Sequence, residues 1–426
     1  MKLKSLLFSA FFALFAVGCV PHSSKFAPIE LELVRDNPQG ALEKLTSKKP
    51  DNADLLAYQL NEAMLLRING EFAQSNDIFE SAKQTIDAYD AISVSEQTAS
   101  LVINDEMSAY SGFDFERVLI HFYSALNYLE LGDMESARVE ALQADILMNA
   151  LDDGDYADDP AMRYLSGVIF ESLRERSDAM IAYRKAYEAY KQGGVFSVAL
   201  PNILKGDLLR LSSAVGLKEE NSHLQDEFKT SNFAKLKKGE GEIVAVVSVG
   251  LAPIVRSENM LVPANNRMIM VALPRLEFRQ RFGIVPALVV NGGRIVCERF
   301  YDVSALFGYV MKNNLPAITA KTVARAVAKE LMAQAAGSVG DNKNASLAAK
   351  LLVQLFNTAT EIADTRSWQT LPDEIYIARV ILPSGTHDIN VSYGDVKTVE
   401  YKQIAVREGQ SSFLSPHFIP HYAVTR

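Results

Sequence analysis

The sequence predicts a multidomain α+β protein. An N-terminal array of stacked helix pairs leads into a mixed α/β domain that ends in a small β-sandwich. Three observations carry this reading. Three stretches of the first half share one frame of small residues about a tight turn. After Lys238 the composition shifts to apolar runs rich in β-branched residues, the mark of buried strands. After Asp364 short alternating segments are separated by Pro, Ser and Gly. The expected layout is a leader over 1–18, a tether over 19–28, a helical domain over 29–238, an α/β domain over 239–372 and a β-rich module over 373–426.

The 426 residues include 43 basic and 52 acidic side chains, a net charge of −9, which argues against nucleic acid as a partner. With 48% hydrophobic and 22% charged residues, the chain is neither largely disordered nor a multi-span membrane protein. Two distant cysteines, Cys19 and Cys297, make no disulfide framework and no cysteine zinc site. Cys297, in an apolar strand-like stretch, reads as a buried small residue.

Residues 1–18 read as an export signal. Lys2 and Lys4 precede an apolar run from Leu6 to Val17, too short to span a bilayer. The run ends in Ala16-Val17-Gly18-Cys19, which resembles the lipobox of bacterial lipoproteins, with Ala16 where Leu is usual. The resemblance implies acyl chains, palmitate among them, on Cys19. Each buried methylene then adds about 0.8 kcal/mol of membrane affinity. Loss of Lys2 and Lys4 leaves 41 basic against 52 acidic groups, a net of −11. Val20 in place of Asp after the cysteine favours the outer membrane, on its periplasmic face. A plain secretory signal and an uncleaved anchor are the competing readings.

Helical elements follow. Val118 to Asp145 carries Ala125, Tyr128, Gly132-Asp133, Ala137, Ala141 and Ala144. Leu56 to Lys83 fits the same frame with Ala63, Leu66, Gly70, Ser75, Phe79 and Ala82. Pro160 to Tyr187 fits it with Gly167, Phe170, Ala179, Tyr183 and Ala186, Arg174 standing at the turn position. The frame resembles the tetratricopeptide repeat, in which small residues let paired helices cross closely. Residues 29–46 add a helix and 84–114 a further hairpin. Residues 195–230 form a helix ended by Gly216, then a short one over Glu219 to Lys229, a terminal cap for the array. The loop Asp152 to Asp159 holds five carboxylates but lacks the EF-hand frame, so a solvated acidic loop is expected.

In the second half, Glu242 to Gly250 and Arg267 to Pro274 read as strands. Phe282 to Val290 and Arg294 to Phe300 read as a hairpin about Asn291-Gly292-Gly293. Helices are expected at Asp302 to Met311, Ala320 to Ala336 and Ala345 to Ala363. Lys321, Arg325 and Lys329 lie on one helical face, read as solvated or as a contact to anionic lipid or glycan. Strands follow at Glu374 to Leu382, His387 to Tyr393 and Val396 to Arg407. Leu-Pro-Ser-Gly-Thr-His and Val-Arg-Glu-Gly in this region resemble the PEGA β-sandwich modules of envelope proteins.

The lipobox, the repeats, Gly250-Leu-Ala-Pro253, Ala272-Leu-Pro274, Ala363 to Pro372 and Leu382-Pro-x-Gly385 together resemble a family of Gram-negative lipoproteins with tetratricopeptide repeats. Members often accompany lipoproteins that activate penicillin-binding proteins. The resemblance implies an architecture and an envelope address, but no reaction and no cofactor. Asp364, Arg366 and the lone Trp368 form the candidate interaction site. They read either as a glycan platform, since indole stacks on sugar faces, or as a structural latch. No nucleophile elbow, phosphate loop or His-Glu-x-x-His is present. His417 and His421 are separated by Pro420 and preceded by Pro416, which denies them a helix on which to share a metal. The sequence therefore points to a non-catalytic scaffold that binds an envelope protein through its helical groove. The alternative is a peptidoglycan-binding or peptidoglycan-processing protein that uses the C-terminal domain.

Overall fold

A computed structural model describes residues 22–96, 109–151, 158–192, 198–231, 233–264, 267–337 and 363–421. The leader, Cys19 and Val20 lie outside these residues. So do most of the acidic loop after Asp152 and the helix expected over Ala345 to Ala363, save Ala363 itself.

Helices come in consecutive pairs: α1 (His22–Val34) with α2 (Pro38–Thr46), α3 (Leu55–Ile68) with α4 (Phe72–Glu96), α5 (Asp114–Glu130) with α6 (Met134–Ala150), α7 (Pro160–Ser172) with α8 (Arg176–Gln192), and α9 (Asn202–Ala214) with α10 (Lys218–Phe228). Each turn is closed by one residue in the left-handed region: Asp36, Gly70, Gly132, Arg174 and Gly216. Around each, the following N–H reaches back five residues, as in Glu71 to Leu66, Asp133 to Tyr128 and Glu175 to Phe170. This Schellman pattern satisfies the last carbonyls of the first helix. Arg174 therefore makes the same turn as the glycines.

Burial is uneven within pairs. Thirteen of the seventeen residues of α5 and eleven of the thirteen of α7 are buried, against five of seventeen in α6. First helices are thus covered on more than one side, and the cover is the chain's own second half.

That half contains β1 (Glu240–Val249), β2 (Ile254–Ala264), β3 (Arg267–Glu277), β4 (Pro286–Val290), β5 (Gly293–Val296), β6 (Glu298–Asp302), α11 (Val303–Gly337), β7 (Glu374–Pro383), β8 (Gly385–Tyr393), β9 (Lys397–Val406), β10 (Ser411–Leu414) and β11 (His417–Phe418). A central sheet runs β10-β1-β7-β6, with β11 also on β1. β1 is antiparallel to β7 along its whole length and parallel to β10 and β11. A second sheet runs β5-β4-β8-β9, and β2–β3 form a separate ribbon.

Alternation along β1 shows the layering. Val244 and Val246 join a core with the helices, while Ile243, Ala245 and Val247 join a core with β4 and β8. The central sheet is therefore the middle of three layers. A strand buried on both faces must be apolar throughout, which is why Glu242 to Gly250 reads as an unbroken apolar run. Cys297 is buried against the second sheet, and burial pushes its thiol up to about 12.

Several expectations are corrected. The tether over 19–28 gives way to helix α1 from His22, because Phe26, Ile29 and Leu33 form an apolar stripe that is buried. Pro28 lies inside it and removes only one backbone donor. Of the hairpin expected over 84–114, the first part is the continuation of α4 to Glu96, and residues 97–108 lie outside the described residues. The helices at 302–311 and 320–336 are one helix, α11, running through Pro316. The region 373–426 is not an independent sandwich: β7, β10 and β11 pair with β1, and β8 pairs with β4. The boundary at 372 thus cuts a continuous sheet. Among the described residues no helix is long and apolar enough to cross a membrane.

Two substitutions test the helix pairs. Arg174 is exposed with a positive φ, so Arg174→Gly is expected to raise unfolding free energy by about 1 kcal/mol in urea titrations. A Cβ on Gly167 would stand 2.4 Å from the Tyr183 ring, so Gly167→Ala is expected to lower it by about 1–3 kcal/mol.

Candidate functional site

The residues singled out for interaction, Asp364, Arg366 and Trp368, lie on a segment that threads the inner face of the helix pairs. Trp368 is 1% exposed. Its ring meets Phe79 edge-on at 5.5 Å and Tyr123 at 5.9 Å. Its indole N–H donates to Thr370 Oγ1 at 3.1 Å, and its backbone N–H donates to Glu116 at 2.6 Å. Thr370 in turn donates to Asn61 Oδ1 at 3.0 and 3.1 Å. Burial raises the Glu116 carboxyl to about 7, although Tyr110 O–H at 2.5 Å and two backbone N–H groups donate to it. Arg366 is buried too, pairing with Asp364 at 2.6 Å and donating to the Ala53 carbonyl at 2.7 Å. The three residues make a latch. An indole with no open face cannot stack on a sugar, so the glycan platform at Trp368 is removed.

The repeat-frame residues sit as steric spacers. Ala63, Ala82, Ala125, Ala137, Ala144, Ala179 and Ala186 are fully buried in the helical core. Gly70 and Gly132 make turns, and Gly167 receives the Tyr183 ring. The expected concave groove is therefore filled, chiefly by the latch and the central sheet. Arg67 of α3 fixes this contact. It donates to Asn127 and to Ser415 Oγ at 2.5 Å, with the Tyr123 and Phe72 rings beside its guanidinium. Of the stripe at Lys321, Arg325 and Lys329, Lys321 is exposed and Lys329 half-buried but Arg325 is buried, so only part of it is a solvated face. His417 is half-buried in β11 with Nε2 on the Gly250 carbonyl at 2.8 Å, and desolvation lowers its pKa to about 4, so it stays neutral. His421 is exposed.

One end of the groove stays open. β6 pairs with β7 only from Glu374 to Ile377, whereas β7 runs on to Pro383. Beside the unpaired stretch lies a cleft of about 990 Å³. Its walls are α7 and α9 on one side and Ile295 and Val296 of β5 on the other, with Phe233 and Leu236 at one end. Gly206 of α9 faces it with open space where a side chain would be.

The cleft floor is a charged network that sequence reading missed. Arg379 of β7 bridges Asp207 at 2.6 Å and Glu242 at 2.7 Å. Arg210 holds Glu171 and, at 2.9 Å, Asp207, which also accepts from Tyr164 O–H at 2.6 Å. Burial pushes the Asp207 and Glu242 carboxyls up, but the facing guanidinium groups outweigh it and hold both below their ordinary values. A signal was present. Arg379 is in phase with Ile375, Ile377 and Ile381, a charge on the buried face of an otherwise apolar strand.

No family model and no curated protein matches the chain. Solved structures overlap about half of it at low TM-score. BtubC (BKLC) from P. vanneervenii has 14% identity over 47% of this chain and 75% of that one, with a TM-score of 0.32. The MamA RS-1 ArsTM double mutant has 12% identity over 49% and 92%, with a TM-score of 0.31. A tetratricopeptide repeat protein from Parabacteroides merdae has 12% identity over 50% and 93%, with a TM-score of 0.17.

Removing the central cation tests the network. Arg379→Met leaves Asp207 and Glu242 buried without it and is expected to cost about 3–5 kcal/mol at neutral pH. Carboxylates held below their unfolded pKa contribute stability above about pH 4 and lose it as pH falls through the folded value. The deficit of Arg379→Met should therefore shrink as pH falls below about 4, read from urea unfolding at each pH.

Proposed function

We propose that this chain is a non-catalytic, lipid-anchored envelope scaffold of tetratricopeptide type. It grips an extended segment of an envelope protein in the cleft beside β7, from the periplasmic face of the outer membrane. The observation that supports the reading is the run of β7 beyond Ile377 without a strand partner, set in a cleft wide enough for a chain. A sheet edge offers main-chain donors and acceptors, and strand addition gives affinity through them while side-chain pockets give selectivity.

The walls favour a particular segment. Ile295, Val296, Ile203 and Leu236 provide apolar surface for alternate side chains. Arg174, Arg176 and Lys235 at the rim outnumber Glu298, which favours a segment with acidic flanks. The helical array in this view is a clamp that holds the central sheet rigid, and the repeat groove contributes only its last open end. Placement in cell-envelope or peptidoglycan assembly follows from the lipobox and family resemblance of the sequence.

A photocrosslinking residue at Val296 is expected to trap one discrete envelope protein in cells, and one at Val396, on an exposed turn, to trap none. Gly206→Trp, which fills open space in the cleft, should abolish the product without loss of thermal stability. Equal trapping at both positions, or trapping that persists in Gly206→Trp, would refute the cleft as the site.

A further inference from the structure

We infer that the far end of the β2–β3 ribbon enters the lipid interface beside the acyl anchor, so that the protein holds the membrane at two points. The inference rests on the lipid-anchor part of the proposed function and is independent of the cleft.

The ribbon is the one two-stranded sheet among the described residues, and such a sheet is marginal in water without cover. Its base is covered: Val255, Val271 and Ala272 are buried, and α11 packs along β3. Its far end is bare. Leu261 faces Met270 across the ribbon and Pro263 faces Met268, so these four share one face. Leu261 is 57%, Met268 59% and Met270 42% exposed. From Asn259 to Ala272 the only charged residue in the sequence is Arg267. A contiguous apolar face of flexible methionines at the end of a projecting ribbon marks an interaction surface.

The chain's entry point selects lipid as the occupant. Only two residues separate Cys19 from His22, so the Cα of Cys19 can stand no more than about 11 Å from the start of α1. α1 is no stalk: Glu30 and Arg279, both buried, pair at 2.8 Å, and Lys25 pairs with Asp54 at 3.2 Å. Next to this start, the Ser23 N–H donates to Thr365 Oγ1 at 3.3 Å, and the Ala363 N–H donates to Ser257 Oγ of β2 at 3.1 Å. Leu261 lies about 13 Å along the strand from Ser257. An anchor at Cys19 therefore keeps the ribbon end within reach of the bilayer.

The experiment uses the full chain purified from envelopes and reconstituted into vesicles of phosphatidylethanolamine and phosphatidylglycerol. Native Trp368 is buried and gives a constant background. Met268→Trp should show blue-shifted emission quenched by acyl-brominated lipid. Val396→Trp, near the Lys397–Asp36 contact beyond the other end of α1, should show neither. Leu261→Asp with Met270→Asp should abolish quenching at position 268 while leaving the melting temperature unchanged. Absence of quenching at 268, or quenching that survives the two aspartates, would overturn the inference. So would a dimer that the aspartates dissolve, which would make the ribbon a protein interface. Mass spectrometry of the amino-terminal fragment reads acylation separately, so a missing anchor and a ribbon that stays in water are distinct results.

Discussion

Helix pairs that cross closely must carry small and apolar residues on their inner faces, and those faces cannot be left in water. Here the cover comes from the same chain. The Trp368 segment enters between α3, α4 and α5, with its indole edge-on to Phe79 and Tyr123 and its backbone held by Glu116 and Asn61. The burial of the first helices follows from this contact, and so does the position of the central sheet against them. An indole of this size buries about 150–250 Å², and no smaller side chain would reach both ring walls.

The polar contacts between the halves divide into two kinds. Arg67 with Ser415, Tyr123 with Ser248 and Tyr190 with the Phe300 carbonyl are local satisfactions of buried groups. The Arg379, Asp207, Glu242, Arg210 and Glu171 cluster is a closed set of charges whose members depend on each other. Such a set adds little net stability over apolar packing but heavily penalises a partial match. It fixes how far the sheet slides along α7 and α9, and with that the width of the cleft at the edge of β7.

Local periodicity made much of the fold legible, and long-range pairing limited the rest. The helix pairs were visible because Ala and Gly recur where helices cross, and Gly132-Asp133 marks a turn by its own chemistry. The run Glu242 to Gly250 announced a strand buried on both faces. Other features depend on contacts hundreds of residues away. The helix at His22 to Val34 hides behind Pro28 and is held by Arg279. The division at residue 372 looked like a boundary because a Pro and a turn fall there, yet β1 pairs across it. At Trp368, size alone favoured burial, whereas the cleft beside β7 exists only because β6 stops short, a length difference that no single segment encodes.

The bond from Trp368 to Glu116 joins residues 252 positions apart. As the polypeptide emerges from its amino terminus, α3 to α5 are complete long before the segment that covers them has been made. Throughout that interval their inner surfaces stand uncovered and adhesive, and β1 waits for the late strands β10 and β11. Such order of synthesis favours a slow final docking step and a demand for holding chaperones until the last part of the chain arrives.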